Sequence, residues 1–336
     1  MRRVPVMITH GPLCHPCRRN FSSTMPRRAS WGFIGLGQMG YNMAKNLRSK
    51  ISPSDTLIVC DTDGNTTAKF VQELSATDKF DIRVAKSARE LAEKSETIIS
   101  SLPGPESVKQ VFASILGEQV PLSSGRERLF IDCSTIDLTT SHDVARAVIS
   151  SGSGQFVDAP MSGGVVGAQT ASLTFMFGAS GSPQLVDRVT SVLLLMGKKA
   201  WHLGVQGAGL SGKLANNYLL AICNIATAEA MNMGIKSGLD PKGLSEMINS
   251  STGRCWSSAV NNPVPGVIET APASRNYEGG FGIHLMKKDL KLATEMAQEF
   301  QAPLILAGKA LEIYNEAENV HPGKDFSVVY QYIASQ

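Results

Sequence analysis

The stretch WGFIGLGQMG, residues 31–40, constrains the fold more than any other part of the chain. It is a short apolar run that closes on G-x-G-x-x-G, with Gly35, Gly37 and Gly40 at the three glycine positions. A helix-like segment, YNMAKNLRSK, follows. A second β-rich run, TLIVCD, then ends on Asp61, 21 residues after Gly40. Strand, glycine turn, helix, strand and terminal acid in this order form a dinucleotide-binding unit. Gly35 permits the tight turn, Gly37 lets backbone approach a pyrophosphate, and Gly40 allows helix and strand to pack closely. Leu36, Gln38 and Met39 complete the loop, whose helix start offers free N–H groups to phosphate. Asp61 is placed to accept from the adenosine ribose hydroxyls and to repel a 2′-phosphate. With Asp63 nearby and no arginine in DTDGN, the expected cofactor is NAD rather than NADP.

The same alternation continues. ETIISSL, RLFIDCS, QFVDAP, LTFMFG and KAWHLG read as further strands, several separated by helix-like segments such as SARELAEKSE. Strand–helix alternation predicts an α/β fold with a Rossmann-type, doubly wound parallel sheet. After about residue 205 the β signal stops. AGLSGKLANNYLLAICNIATAEAMNMGIKSG reads as one long helix ending at Gly238, and the next starts with Asp240 as N-cap and Pro241 in its first turn. LMKKDLKLATEMAQEF and PLILAGKALEIYNEA continue an all-α C-terminal part. A long Pro/Gly-rich connection, SSAVNNPVPGVIETAPASRNYEGGFG, separates them, and loops of such length are commonly functional. The expected divisions are a leader over 1–29, a cofactor domain over 30–195 and an all-α domain over 196–336 that completes the substrate site.

The leader follows from charge. The net charge is +3, yet six arginines precede residue 31 and the first acid is Asp55. Setting those six aside leaves 26 basic residues against 29 acidic ones, a balance of −3. The body is therefore not a basic nucleic-acid binder. An acid-free segment carrying arginines and serines, with RRNFSS at 18–23, predicts a mitochondrial transit peptide and a matrix location. No apolar run long enough for a bilayer is expected, so no membrane partner is assigned. CHPC at 14–17 has metal-knuckle spacing but no second pair to complete a four-ligand site, so no metal is assigned.

Two further stretches carry chemistry. In DAPMSGGVVGA, Ser162, Gly163 and Gly164 follow a strand end. A serine hydroxyl with glycine-exposed N–H groups can hold a carboxylate, although the stretch alone also fits a flexible loop. In GVQGAGLSGKLANN the only charge is Lys213, with Asn217 at i+4 on the same helical face. A lysine among small apolar residues has a depressed pKa and can serve as acid or base near neutrality. A lysine with a buried stem and a wet ammonium at a domain junction fits the same residues.

Together, the glycine fingerprint, DAPMSGG, GAGLSGKLANN and LMKKDLKLA, in that order, resemble the β-hydroxyacid dehydrogenase family, from about residue 30 to 335. GRCWSS, NNPVPGVIE, NYEGGFG and GKDFSVVYQY are similar to the branch that oxidises 3-hydroxy-2-methylpropanoate to methylmalonate semialdehyde in valine breakdown. The resemblance implies a small hydroxy-acid substrate, a homodimer or homotetramer, Lys213 as catalytic lysine and Asn217 as its helical partner. It implies substrate binding at Ser162, Gly163 and Gly164, and cofactor contacts at Leu102, Pro103, Thr135 and Lys288. Two departures are visible: Ser101 stands where many relatives have methionine, and Lys287 lies beside Lys288. Two alternatives stay open: an NADPH-dependent reductase of succinic semialdehyde, tartronate semialdehyde or glyoxylate, which Asp61 disfavours, and a non-catalytic cofactor-binding protein, which the retained Lys213 and Asn217 disfavour.

Overall fold

The computed structural model describes residues 28–75, 80–117 and 128–336. The expected leader, with CHPC, falls almost wholly outside them. Six parallel strands open the chain: β1 (Ser30–Ile34), β2 (Thr56–Cys60), β3 (Asp81–Val84), β4 (Thr97–Ser100), β5 (Leu129–Asp132) and β6 (Gln155–Asp158). Between them run helices α1 (Gln38–Lys50), α2 (Gly64–Ser75), α3 (Ala88–Lys94), α4 (Pro105–Leu116) and α5 (Leu138–Ser150). The strands lie in the order β3-β2-β1-β4-β5-β6, so the winding reverses between β1 and β4. Such a reversal opens a crevice at the carboxyl ends of the strands.

Burial on both faces explains the near-continuous apolar runs. Phe33, Leu57, Val59, Ile99, Ile131 and Val157 enter one core with Met43, Leu47 and Phe70. Their chain neighbours Ile34, Ile58, Ile98, Phe130 and Phe156 enter another with Leu91, Val108 and Phe112. Side chains of successive strand residues point to opposite faces, so a single run feeds both layers.

The sheet then changes character. β7 (Met161–Ser162), α6 (Gly164–Gln169), β8 (Leu173–Gly178), α7 (Pro183–Leu193) and β9 (Gly197–Gly204) follow. β8 runs antiparallel to β6 and β7, and β9 pairs parallel with β8. The sheet thus continues to Gly204, past the boundary at 195. All seven strands read from the sequence are present. β3, an edge strand half open to solvent, and the two-residue β7 carry too little apolar pattern to be read.

Helical structure occupies the rest: α8 (Ala208–Lys236), α9 (Pro241–Ser250), α10 (Trp256–Ala259), α11 (Ile283–Glu299), α12 (Ala307–Val320) and α13 (Val329–Ala334). Asp240 caps α9, accepting from Gly243 N at 2.8 Å. α8 corrects one expectation, because its 29 residues are long and apolar enough by length and composition to cross a membrane. It packs against α11, α12 and α13, and its Ala221, Ile225 and Ala228 join Met286, Leu290, Tyr314 and Phe326 in a third core. The Pro/Gly-rich connection is irregular but ordered around Asp325, which accepts from Phe281 N at 2.7 Å and Asn261 Nδ2 at 3.2 Å.

Candidate active site

The three glycines of the first loop do different physical work. Gly35 adopts φ +90°, and a Cβ there would lie 2.3 Å from Ser101 O. A Cβ on Gly40 would lie 1.9 Å from Gly35 O. One glycine lets the loops after β1 and β4 touch across the switch point, and the other lets α1 sit on its own turn. A Cβ on Gly37 would meet nothing within 4 Å, so that backbone faces open space. Gly37 is the N-cap of α1, and no side chain caps that turn. The N–H groups of the first turn are thus presented to the crevice, as an anion site requires. Asp61 accepts from Leu36 N at 2.5 Å and Asp63 N at 2.8 Å. A carboxylate has about four acceptor positions, so two remain for a ribose diol.

Leu102 is held from below. Its N–H donates to Ser134 Oγ at 2.9 Å, and Ser134 donates to Asp132 Oδ1 at 2.6 Å. Ser100 donates to the same oxygen at 2.7 Å. Burial pushes the Asp132 carboxyl above its ordinary range, opposed by those hydroxyls. The loops after β4 and β5, which carry Leu102 and Thr135, are therefore tied through one buried acid.

Asp158 ends β6 in register with Asp132. Its Oδ1 accepts from Gly207 N at 2.7 Å and its Oδ2 from Leu210 N at 2.9 Å. Burial, partly opposed by these two N–H groups, pushes its pKa up to about 7, and Asp132 adds to the rise. Four residues on, Ser162 is half-buried in β7. Gly163 (φ +132°) and Gly164 (φ +63°) then turn through conformations that L-residues rarely adopt. The Ser162 hydroxyl has no hydrogen-bond partner among the described residues, and a Cβ on Gly164 would meet nothing within 4 Å.

Lys213 and Asn217 share the buried face of α8 with Leu210, Leu214 and Ala221. Their small neighbours now have a cause. A Cβ on Gly209 would lie 2.5 Å from Met176 O, so the helix start is pressed on β8. Lys213 is 6% exposed, and its ammonium has no hydrogen-bond partner among the described residues. Burial lowers its pKa; Asp289 opposes the shift and Lys288 adds to it. Asn217, 1% exposed, donates to Asp289 Oδ2 at 2.6 Å. Lys288 lies 3.5 Å from Asp289 Oδ1 and donates to Thr135 O at 2.8 Å. Lys287 instead pairs with Glu318 of α12.

The expected residues thus fall into three groups around the carboxyl ends of the strands. Gly35, Leu36, Gly37, Gln38, Met39, Gly40 and Asp61 line the loop after β1 and the end of β2, while Leu102 and Pro103 follow β4. Asn217, Lys288 and Thr135 form one cluster joined through Asp289 on α8, α11 and the loop after β5, and Lys213 lies one turn before Asn217 on the same buried face of α8. Among the described residues no hydrogen bond joins the Ser162 turn to that cluster. Two acids were not read from the sequence. Asp158 lies inside DAPMSGGVVGA and Asp289 beside two lysines, and neither position by itself marks a role. An acid on the apolar face of α11, with Met286, Leu290 and Ala293, was the available signal for Asp289.

Residues 30–204 match the NAD binding domain of 6-phosphogluconate dehydrogenase. Residues 207–333 match the NAD-binding domain of NADP-dependent 3-hydroxyisobutyrate dehydrogenase. The mitochondrial 3-hydroxyisobutyrate dehydrogenase of Mus musculus is 42% identical over 336 residues, covering 100% of this chain and 93% of that protein. The Homo sapiens enzyme of that name is 39% identical over 327 residues, covering 97% and 92%. Among solved structures, Mycobacterium tuberculosis 3-hydroxyisobutyrate dehydrogenase with L-serine superimposes with a TM-score of 0.80 at 33% identity. That match covers 91% of this chain and 99% of the other.

Proposed function

The chain belongs to the 3-hydroxyisobutyrate dehydrogenase family, and from that premise we propose that it oxidises 3-hydroxyisobutyrate (3-hydroxy-2-methylpropanoate) to methylmalonate semialdehyde with NAD, a step of valine catabolism. The observation that carries this reading is the buried Lys213, lowered in pKa by burial and set one helical turn before Asn217, which Asp289 and Lys288 tie to the loop after β5.

Ser162 and the N–H groups of the Gly163–Gly164 turn bind the substrate carboxylate, which orients C3 and its hydroxyl. Neutral Lys213 Nζ takes the hydroxyl proton, the lone pair for this being supplied by its lowered pKa. The N–H that Asn217 does not give to Asp289 is available to the same substrate oxygen. The chemistry that NAD would supply when held by these residues is acceptance of the hydride from C3. Gly35 to Gly40 would hold its pyrophosphate and Asp61 its adenosine ribose, with Leu102, Pro103, Thr135 and Lys288 as further residues that would hold the cofactor. Initial rates on a panel of small hydroxy acids, with NAD and with NADP, test the assignment. Highest kcat/KM on a different hydroxy acid or with NADP would overturn it.

Asp61 makes the cofactor choice separately testable. Asp61→Ser combined with Thr62→Arg removes a charge that repels a 2′-phosphate and adds one that attracts it. The ratio of kcat/KM for NADP to that for NAD should rise. A wild-type enzyme already faster with NADP at low concentration would contradict this account.

The relatives are named mitochondrial, which supports a mitochondrial destination here, and we place the protein in the matrix. N-terminal sequencing of organelle-purified protein should find a start between about residues 22 and 30, as cleaved leaders of about this length do. An intact Met1 or a purely cytosolic pool argues against it. A homodimer or homotetramer is supported by exposed Trp201, Leu203 and Val205 near β9 and by Leu219 and Met233 on α8. Light scattering that finds a monomer would remove this reading.

A further inference from the structure

α8 begins without a cap of its own. Gly207 occupies the N-cap at φ +91° and has no side chain to turn back on the helix. A Cβ there would lie 2.5 Å from His142 Nε2, so the position excludes the usual capping residues. The missing acceptor comes instead from another element. Asp158, 1% exposed at the end of β6, takes Gly207 N on one oxygen and Leu210 N on the other. Space for it is cleared on two sides, since a Cβ on Gly178 would lie 2.7 Å from Oδ1 and one on Gly209 2.8 Å from Oδ2.

Two consequences follow from where this contact sits. Leu210 is three residues before Lys213, one turn along the same helix, so the acceptor fixes the turn from which the lysine projects. Asp158 is also four residues before Ser162, with Ala159 and Met161 buried in the same core between them. One carboxylate therefore joins the segment that bears the substrate turn to the helix that bears the lysine. We propose that Asp158 is a positioning residue for proton transfer, holding the first turn of α8, and with it Lys213, at a fixed place relative to the Ser162 turn. The proposal rests on Lys213 being the proton acceptor.

Asp158→Asn tests it with little change of volume. The amide can accept one of the two N–H groups but turns its own NH2 towards the other. Misplacement of a reacting group by about 1 Å can cost about 100-fold. The variant should therefore lose roughly 10- to 100-fold in kcat per site, with sites counted by NAD titration. NAD affinity should stay within about two-fold, because the cofactor glycines lie on other loops. A plain structural cap would lower Tm and the number of sites and leave kcat per site unchanged. The double variant Asp158→Asn/Lys213→Ala should be no slower than Lys213→Ala, because nothing remains to be positioned. Should Asp158→Asn not fold, Asp158→Ser, shorter and itself a capping residue type, is judged by the same criteria.

If Lys213→Ala is slow while Asp158→Asn stays within about two-fold of wild type per site, the positioning role alone fails. If Lys213→Ala keeps near wild-type kcat, the lysine assignment fails and the positioning role with it. An additive loss in the double variant also overturns the proposal.

Discussion

Lys213→Ala should lower kcat by about 10²–10⁴-fold while NAD affinity stays nearly unchanged, the range that a positioned acid or base contributes. The lysine is buried on α8, an element other than the glycine loop after β1, so its loss should remove the proposed proton acceptor and leave the proposed pyrophosphate site in place. The alanine leaves a gap but no unpaired partner, since the ammonium has no hydrogen bond among the described residues. The pH dependence has a definite sign. Oxidation needs the neutral amine, so kcat should rise with pH as Lys213 loses its proton. Burial lowers that pKa from the ordinary lysine value, and the rise should come at lower pH than for an exposed lysine. Asp289 limits the shift by favouring the charged form, so Asp289→Asn should move the rise to still lower pH. A Lys213→Ala enzyme with more than about a tenth of wild-type kcat falls below the smallest contribution expected of such a group, and would show that the proton goes elsewhere.

Local pattern made much of this molecule legible. The glycine spacing and Asp61 at a strand end are short-range features, and every parallel strand except the edge strand β3 carries its own apolar run. α8 was readable from end to end because Gly238, with φ +95°, marks its stop in the sequence itself. What escaped reading is long-range. Asp158 meets N–H groups 49 and 52 residues away, and Asp289 meets Asn217 across 72. Neither acid has a periodicity or spacing that names its partner, and each looks like an ordinary charge until the fold buries it. β9 lies past the expected boundary at 195, and its place in the sheet is likewise set by a long-range pairing. It is an exposed edge strand that belongs to the sheet only through its pairing with β8.

The substrate carboxylate offers the second large effect. Ser162→Ala should raise KM for the hydroxy acid by about 10- to 100-fold. A hydrogen bond to a charged group contributes roughly 1.5–3 kcal/mol, and about 1.4 kcal/mol is a factor of ten. The hydroxyl is uncommitted among the described residues, and the next two residues hold backbone angles that only glycine adopts readily. The turn is thus shaped to present donors rather than to pack side chains. NAD KM should barely move, because the pyrophosphate glycines belong to the loop after β1 and this turn follows β7. The methyl ester of the substrate, which lacks the charge, should distinguish wild type from variant far less than the acid does. An unchanged acid KM with a large rise in NAD KM would make the turn a cofactor loop. The carboxylate would then have to be sought at Lys288, the partly exposed cation beside the buried Lys213, which already reaches Thr135 O and Asp289.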